Sequence, residues 1–158
     1  MKRPLRREFM FQLVETSRLL RTYVDQRARQ HGTTRAQWGV MSRLRRQEGL
    51  NQAALAEQMD LQPISLARLL DRLQGQNLIE RREDPADRRA YQLYLTPEGR
   101  ALVDDLDDVR TAIAQEVLGS VEEQSIVSAL ETLAAIREQT RAQREDKTQT
   151  PASAGQTA

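Results

Sequence analysis

The chain has 158 residues, of which 39% are hydrophobic and 30% charged, a balance typical of one helix-rich globular domain rather than a membrane or disordered protein. It contains no cysteine and a single histidine, so a disulfide framework and a thiolate metal site are excluded and a zinc-sensing site is disfavoured. No apolar run approaches the roughly 18 residues that a membrane span requires, and a cytoplasmic location is therefore expected.

The formal net charge of +1 conceals two opposed halves. Residues 1–100 contain 19 Lys and Arg against 12 Asp and Glu, whereas residues 101–158 contain 5 against 11. A basic segment followed by an acidic one suggests that a polyanion binds the first segment. Uneven charge is also common in helical proteins, so the charge distribution alone does not decide the function.

The first half of the chain predicts three helices. Apolar residues at near-helical spacing form a first helix of roughly 25 residues, which ends where Gly32 can adopt a left-handed cap. Thr34 precedes Gln37 by three residues, the spacing of a capping box at the start of a second helix. Asn51 is expected to cap a short third helix, which the segment 60–63 ends.

A fourth helix is predicted from a leucine stripe that repeats at i, i+3, i+4 and i+7. The stripe consists of Leu66, Leu69, Leu70 and Leu73. Such a helix packs on one side, which leaves Ser65, Arg68 and Arg72 on the opposite, outward face. A helix buried in a bundle would carry the same stripe, so the stripe by itself is weak support for a function.

Two extended runs follow, at 78–83 and 90–96, and the turn residues between Asp84 and Asp87 join them into a hairpin. Thr96 and Pro97 then form a cap followed by a first-turn proline, which predicts the start of a long helix. Ser120 and Glu123 have the spacing of a second capping box before a final helix.

Together these elements predict a mainly α fold with a small β-hairpin wing, in which a winged helix-turn-helix is flanked by N- and C-terminal dimerisation helices. The predicted segments are an N-terminal dimerisation helix at 1–32, a DNA-binding lobe at 33–99, C-terminal dimerisation helices at 97–146 and a disordered tail at 147–158. A single helix fits the major groove, where base edges present a readable pattern. The fourth helix is the candidate for that role.

The segment Leu50–Gly99 resembles the MarR-type winged-helix transcriptional regulators. Within it, LARLLDRLQGQNLIERR runs directly into DPADRR and then LTPEG, in the order and spacing of that family. The detailed resemblance covers roughly a third of the chain, and the flanking helices match in number and placement.

The resemblance implies a recognition helix at 62–74 that enters the major groove and a wing arginine, Arg89, that enters the minor groove. Asp87 would brace Arg89, while Arg82 and Arg88 would neutralise phosphates. The predicted DNA-binding residues are Gln62, Pro63, Ser65, Arg68, Arg72, Arg82, Arg88 and Arg89.

The resemblance also implies a homodimer that binds a palindromic operator in double-stranded DNA, with half-sites about one turn apart. The alternative is that the terminal helices close a monomeric core. Family members often respond to a small anionic effector, such as an aromatic acid or a coenzyme A thioester. Arg18, Tyr23, Trp38 and Met41 are the candidate effector-binding residues, although Trp38 and Met41 lie on an apolar stripe, where such residues are more often part of the core.

The sequence therefore favours a DNA-binding transcriptional regulator, a repressor that an effector releases. No nucleophile, base and orienting group recur at a recognisable spacing and there is no glycine-rich phosphate loop, so neither an enzyme nor a cofactor site is expected. The alternatives are a winged-helix protein-interaction module and a constitutive DNA-binding protein without an effector. Cations on both the outer helix face and the wing favour DNA over the interaction module.

Overall fold

The computed structural model describes residues 4–149, with side chains through residue 145. This part of the chain forms six helices and three short strands. In chain order they are α1 (Leu5–Arg29), α2 (Arg35–Arg46), β1 (Leu50–Asn51), α3 (Gln52–Met59), α4 (Pro63–Gly75), β2 (Ile79–Glu83), β3 (Tyr91–Leu95), α5 (Pro97–Leu118) and α6 (Glu123–Gln149). No helix in this range is long and apolar enough to cross a membrane.

The chain divides into two compact units, Met1–Ala114 and Gln115–Ala158. The hydrophobic core lies in the first unit, where α2, α4, β3 and α5 contribute fully buried aliphatic side chains. The most buried of these are Val40, Met41, Leu44, Leu66, Leu70, Leu73, Leu93, Val103 and Leu106. Each such side chain contributes about 1.5 to 3 kcal/mol when it leaves water, so this core fixes the position of α4.

The predicted leucine stripe of α4 is confirmed in three of its four positions. Leu66, Leu70 and Leu73 are fully buried, whereas Leu69 is only partly buried against the core. Pro63 occupies the first helical position, where its missing N–H costs no intrahelical bond. The helix is therefore held by one face and exposes the other.

Three of the predicted helix starts are capped as expected. Thr34 and Gln37 form both halves of a capping box. The Asn51 side chain accepts the Ala54 N–H at 2.8 Å, and Thr96 Oγ1 accepts the Gly99 N–H at 3.0 Å. The predicted Ser120 cap is wrong, because α6 begins at Glu123 itself, three residues after Ser120.

The sheet has three antiparallel strands in the order β1-β3-β2, where the sequence predicted a two-stranded hairpin. The additional strand pairs Leu50 with Leu93 and Asn51 with Gln92. It was missed because two residues show no alternation and because Asn51 also caps α3. β1 ties the start of the helix-turn-helix to the base of the wing.

The C-terminal helix is longer than expected. α6 continues to Gln149, so residues 147–149 of the predicted tail are helical. The rest of that predicted tail, residues 150–158, lies outside the described residues, as do residues 1–3 of the predicted N-terminal helix.

Asp25 of α1 joins that helix to the start of α2. One carboxylate oxygen accepts the backbone N–H of Arg35 at 3.0 Å, and the other accepts Nε–H of Arg29 at 2.8 Å. The backbone hydrogen bond from Arg35, followed by the bond from Arg29, holds the pKa of Asp25 below its usual value. The ionised carboxylate is therefore the form that stabilises this junction.

Replacing Asp25 with alanine is expected to lower the free energy of unfolding near neutral pH by about 1 kcal/mol, as the loss of a helix-capping acceptor does. Because the folded-state pKa is depressed, the stabilisation is fully present above the unfolded-state pKa of about 4 and is lost as the pH falls through the folded-state pKa. Urea unfolding at fixed protein concentration should give a difference that is constant from about pH 7 to about pH 5 and shrinks as the pH falls below about 4. A difference that stays constant below about pH 4 as well would contradict a role for the charge.

Candidate nucleic-acid interface

The outward face of α4 carries the helix residues that were predicted to contact DNA. Ser65, Arg68 and Arg72 are exposed and lie opposite the buried leucines. At the N-terminal end, Gln62 and Pro63 are exposed, and Ile64 keeps 65% of its surface in contact with solvent. An exposed aliphatic side chain beside polar and cationic ones suits a groove wall that presents thymine methyl groups as well as hydrogen-bonding base edges.

Two carboxylates shape the loop between β2 and β3. Asp84 Oδ1 accepts the Ala86 N–H at 2.8 Å, and Asp87 Oδ1 accepts the Arg89 N–H at 2.9 Å. The main-chain N–H of Asp84 also donates to the Ala90 carbonyl at 3.1 Å, which closes the loop. Asp87 thus contacts the backbone of Arg89 and fixes where its side chain leaves the loop, while the guanidinium stays available.

Four cations of this surface have no partner of their own. Within residues 4–145, the structure gives no hydrogen bond or ion pair to the guanidinium groups of Arg68, Arg72, Arg88 and Arg89. All four are exposed. They occupy two different elements, the outer face of α4 and the tip of the wing.

Arg82 differs from those four residues. Its guanidinium pairs with Glu80 and lies over the ring of Tyr94, 4.1 Å from the ring centroid. Both partners belong to the outer face of the hairpin. The positive charge of Arg82 is therefore already partly balanced, which makes it a weaker candidate for a phosphate contact than Arg88 or Arg89.

Arg81 was not singled out from the sequence, yet it makes two hydrogen bonds from the wing to α4. Its guanidinium donates to Asp71 at 2.8 Å and to Gln74 at 2.7 Å. Strand alternation could have indicated it, because Arg81 lies on the same side of β2 as the buried Ile79. The sequence did not show that α4 faces that side.

Of the four predicted effector residues, Trp38 and Met41 belong to the hydrophobic core and Tyr23 packs against it. Met41 is fully buried in the core. Arg18 is exposed and pairs with Glu15 at 3.0 Å, and Tyr23 accepts a hydrogen bond from Arg27 at 3.2 Å. Trp38 lines a cavity in this part of the structure.

That cavity has a volume of about 240 Å³ and lies between α1, α2 and α5. Its lining residues are Val24, Arg35, Trp38, Gly39, Ser42, Arg110 and Ile113. Arg110 was not predicted; its guanidinium lies 5.2 Å from the Trp38 ring and donates to Ser42 at 2.9 Å and to Asp107 at 3.1 Å. Trp38 is 4% exposed, and its Nε1–H has no hydrogen-bond partner.

A helix-turn-helix that exposes a cationic face, followed by a hairpin with a cationic tip, defines a winged helix-turn-helix protein of the DNA-binding class. The family model described as the MarR family matches residues 33–91. The chain is 33% identical over 98 residues to the transcriptional repressor MdtR of Bacillus subtilis, a match that covers 62% of this chain and 63% of MdtR. It is 32% identical over 99 residues to the transcriptional regulator HosA of Escherichia coli O111:H-, covering 61% of this chain and 73% of HosA.

Solved structures give the same result at the level of the fold. A MarR family regulator from Rhodococcus sp. RHA1 superimposes with a TM-score of 0.76 at 26% identity, covering 85% of this chain and 96% of that one. A MarR regulator from Methanosarcina mazei Go1 gives a TM-score of 0.77 at 22% identity, covering 85% and 98%. The chain belongs to the MarR family, whose members are transcription regulators and not enzymes.

Proposed function

We propose that this protein is a cytoplasmic, homodimeric repressor that binds a palindromic operator and is released by a small anionic effector. The observation that carries the proposal is the set of exposed, unpaired guanidinium groups on α4 and on the wing tip. Cations placed on both elements match a duplex, where one element enters the major groove while the other reaches the neighbouring minor groove.

The division of labour between these residues follows from their positions. Gln62, Pro63, Ser65 and Arg68 lie at or near the N-terminal half of α4, the part of a recognition helix that reaches base edges. Arg89 leaves the wing loop at a point set by Asp87 and suits a narrow minor groove. Arg72 and Arg88 supply phosphate contacts, which add affinity and salt dependence without sequence information, and Arg82 adds less because Glu80 and Tyr94 engage it.

Dimerisation is supported by the surface of α1. In this 25-residue helix, Ala28 is the one buried residue, and seven of its large apolar side chains are exposed. They include Leu5, Phe9, Met10, Phe11, Val14 and Leu19, each at least 43% exposed. In the second unit, Val127 and Leu130 of α6 are 42% and 58% exposed. Apolar surface on this scale requires cover, and a second copy with the same surface supplies it by two-fold symmetry.

A gel-shift titration with the DNA upstream of the gene tests the proposal. A discrete complex that survives excess mixed-sequence competitor is expected, together with a dimer in sedimentation at micromolar concentration. A protein that sediments as a monomer would overturn the two-half-site arrangement. If the protein binds neither the upstream DNA nor the mixed-sequence DNA, the alternative function as a protein-interaction module is supported instead.

The cavity supports an effector of defined chemistry. Arg35 and Arg110 provide two cations, of which Arg110 is also paired with Asp107, and Trp38 provides a ring face. A volume of about 240 Å³ suits a molecule smaller than a typical drug, such as an aromatic acid or the acyl part of a coenzyme A thioester.

Replacing Arg110 with glutamine is expected to weaken binding of benzoate by about tenfold, because the lost bond involves a charged donor and a carboxylate. Titration calorimetry measures the affinity, with benzoate and its coenzyme A thioester as probes. Arg45→Gln is the matched control: Arg45 also links α2 to α5, through Asp104 at 3.1 Å, but does not line the cavity. Equal affinities in both variants would contradict the effector site, and no binding to wild type would favour constitutive DNA binding.

A further inference from the structure

We propose that Arg81 is a positioning residue that fixes the wing at a defined angle to α4, so that both elements reach DNA at the same time. The proposal rests on the proposed function, since it concerns how two DNA-contacting elements are held. Arg81 itself lies outside the predicted set of DNA contacts.

Both terminal nitrogens of Arg81 contact α4. Nη2–H donates to Asp71 Oδ1 at 2.8 Å, and Nη1–H donates to Gln74 Oε1 at 2.7 Å. The Arg81 side chain is 19% exposed, compared with 57% for Arg82 at the next position of the strand. A planar guanidinium held at two points fixes direction as well as distance, which a single hydrogen bond would not do.

Arg81 contacts α4 from a position close to the wing tip. On the inward side of β2, Ile79 is buried, Arg81 is partly buried and Glu83 is exposed. Arg81 is paired across the sheet with the fully buried Leu93. Two further residues of β2, Arg82 and Glu83, separate Arg81 from Asp84, where the loop begins, a distance of about 10 Å along the strand. A small rotation of the hairpin about Arg81 would therefore move Arg89, at the far end of the hairpin, further than it moves the residues next to Arg81.

The solvent exposure of the ion pair between Arg81 and Asp71 indicates that its role is to position the wing rather than to stabilise the domain. The Asp71 side chain is 67% exposed, so solvent screens the ion pair and its contribution to global stability is small. The geometric constraint does not depend on that screening. Loss of Arg81 should therefore loosen the wing and reduce pre-organisation for DNA without unfolding the domain.

Hydrogen exchange of the full-length protein without DNA tests the proposal directly. In Arg81→Gln, the hydrogen-bonded amides of residues 83–91 should exchange about fivefold faster, while those of α4 remain unchanged. The matched control is Arg82→Gln, which removes a neighbouring cation whose partners, Glu80 and Tyr94, lie within the hairpin. In Arg82→Gln, the amides of residues 83–91 should exchange at the wild-type rate. Asp71→Asn should reproduce the Arg81→Gln effect, and combining the two should add little.

A second measurement separates positioning from simple charge. Arg81→Gln should weaken binding to the upstream duplex by about tenfold while leaving affinity for a mixed-sequence duplex unchanged. Equal weakening on both duplexes would show a general phosphate contact and would overturn the proposal, as would unchanged wing exchange. Faster wing exchange in a protein that does not distinguish the two duplexes would support the positioning of the wing while refuting the proposed function.

Discussion

Replacing Arg89 with alanine is expected to weaken binding to the operator by about 1 to 3 kcal/mol, roughly five- to 150-fold. The side chain is exposed at the wing tip, and its guanidinium has no partner among the residues that the structure describes. It therefore enters the complex without first breaking an internal ion pair. Asp87 holds the backbone N–H of Arg89 at 2.9 Å, so little main-chain freedom is lost when the contact forms.

The neighbouring Arg88 supplies the matched control for this variant. Arg88→Ala also removes one exposed cation from the wing loop, but as a phosphate contact it should weaken operator and mixed-sequence duplexes alike. Arg89→Ala should weaken the operator more strongly and lose preference for narrow A·T-rich minor grooves. Fluorescence anisotropy titrations over a series of salt concentrations measure both effects. If Arg89→Ala leaves operator affinity and its salt slope unchanged, the assignment of the wing is wrong.

Replacing Gly99 with alanine is expected to destabilise the fold by about 3 kcal/mol and to lower the midpoint of thermal unfolding by several degrees. Gly99 lies in the first turn of α5, and an added Cβ would stand 2.0 Å from the Leu78 carbonyl oxygen and 3.2 Å from Leu95 Cδ2. That carbonyl accepts the Thr96 N–H at 3.1 Å. Relief of the clash therefore requires movement of backbone at the base of the wing.

Gly75 at the end of α4 provides the comparison for Gly99. A Cβ added at Gly75 meets nothing within 4 Å. Gly75→Ala should be neutral or slightly stabilising, because alanine is favoured over glycine in a helix by up to about 1 kcal/mol. Thermal unfolding of both variants at equal protein concentration makes the comparison. Wild-type stability in Gly99→Ala would contradict the close packing of α5 on the start of β2.

Local signals predicted much of the fold. The capping residues Thr34 and Asn51 act within three or four residues, so a sequence reading could place the helices they begin. The leucine stripe of α4 predicted which face is buried. By contrast, β1 is defined by its pairing with β3, at positions more than 40 residues further along the chain. A contact between distant segments leaves no periodic pattern in a two-residue strand.

The candidate sites divide in the same way. The outward cations of α4 and the wing follow from helical spacing and from the turn residues, and they are exposed as expected. The apolar stripe of α2 does not show how deeply each of its residues is buried. Trp38 borders a cavity, whereas Met41 lies fully buried in the core. Arg81 and Arg110 were missed because their partners, Asp71 and Ser42, lie on other elements. Such contacts depend on how the helices and strands pack.

Footprinting on the DNA upstream of the gene tests most directly whether the protein binds a specific duplex as a dimer. We expect protection of an inverted repeat whose half-site centres lie about 34 to 36 Å apart on one face of the duplex. Binding should also weaken steeply as salt rises, because phosphate contacts release counterions. Uniform protection without a repeat, together with equal affinity for a mixed-sequence duplex, would contradict sequence-specific binding by a dimer.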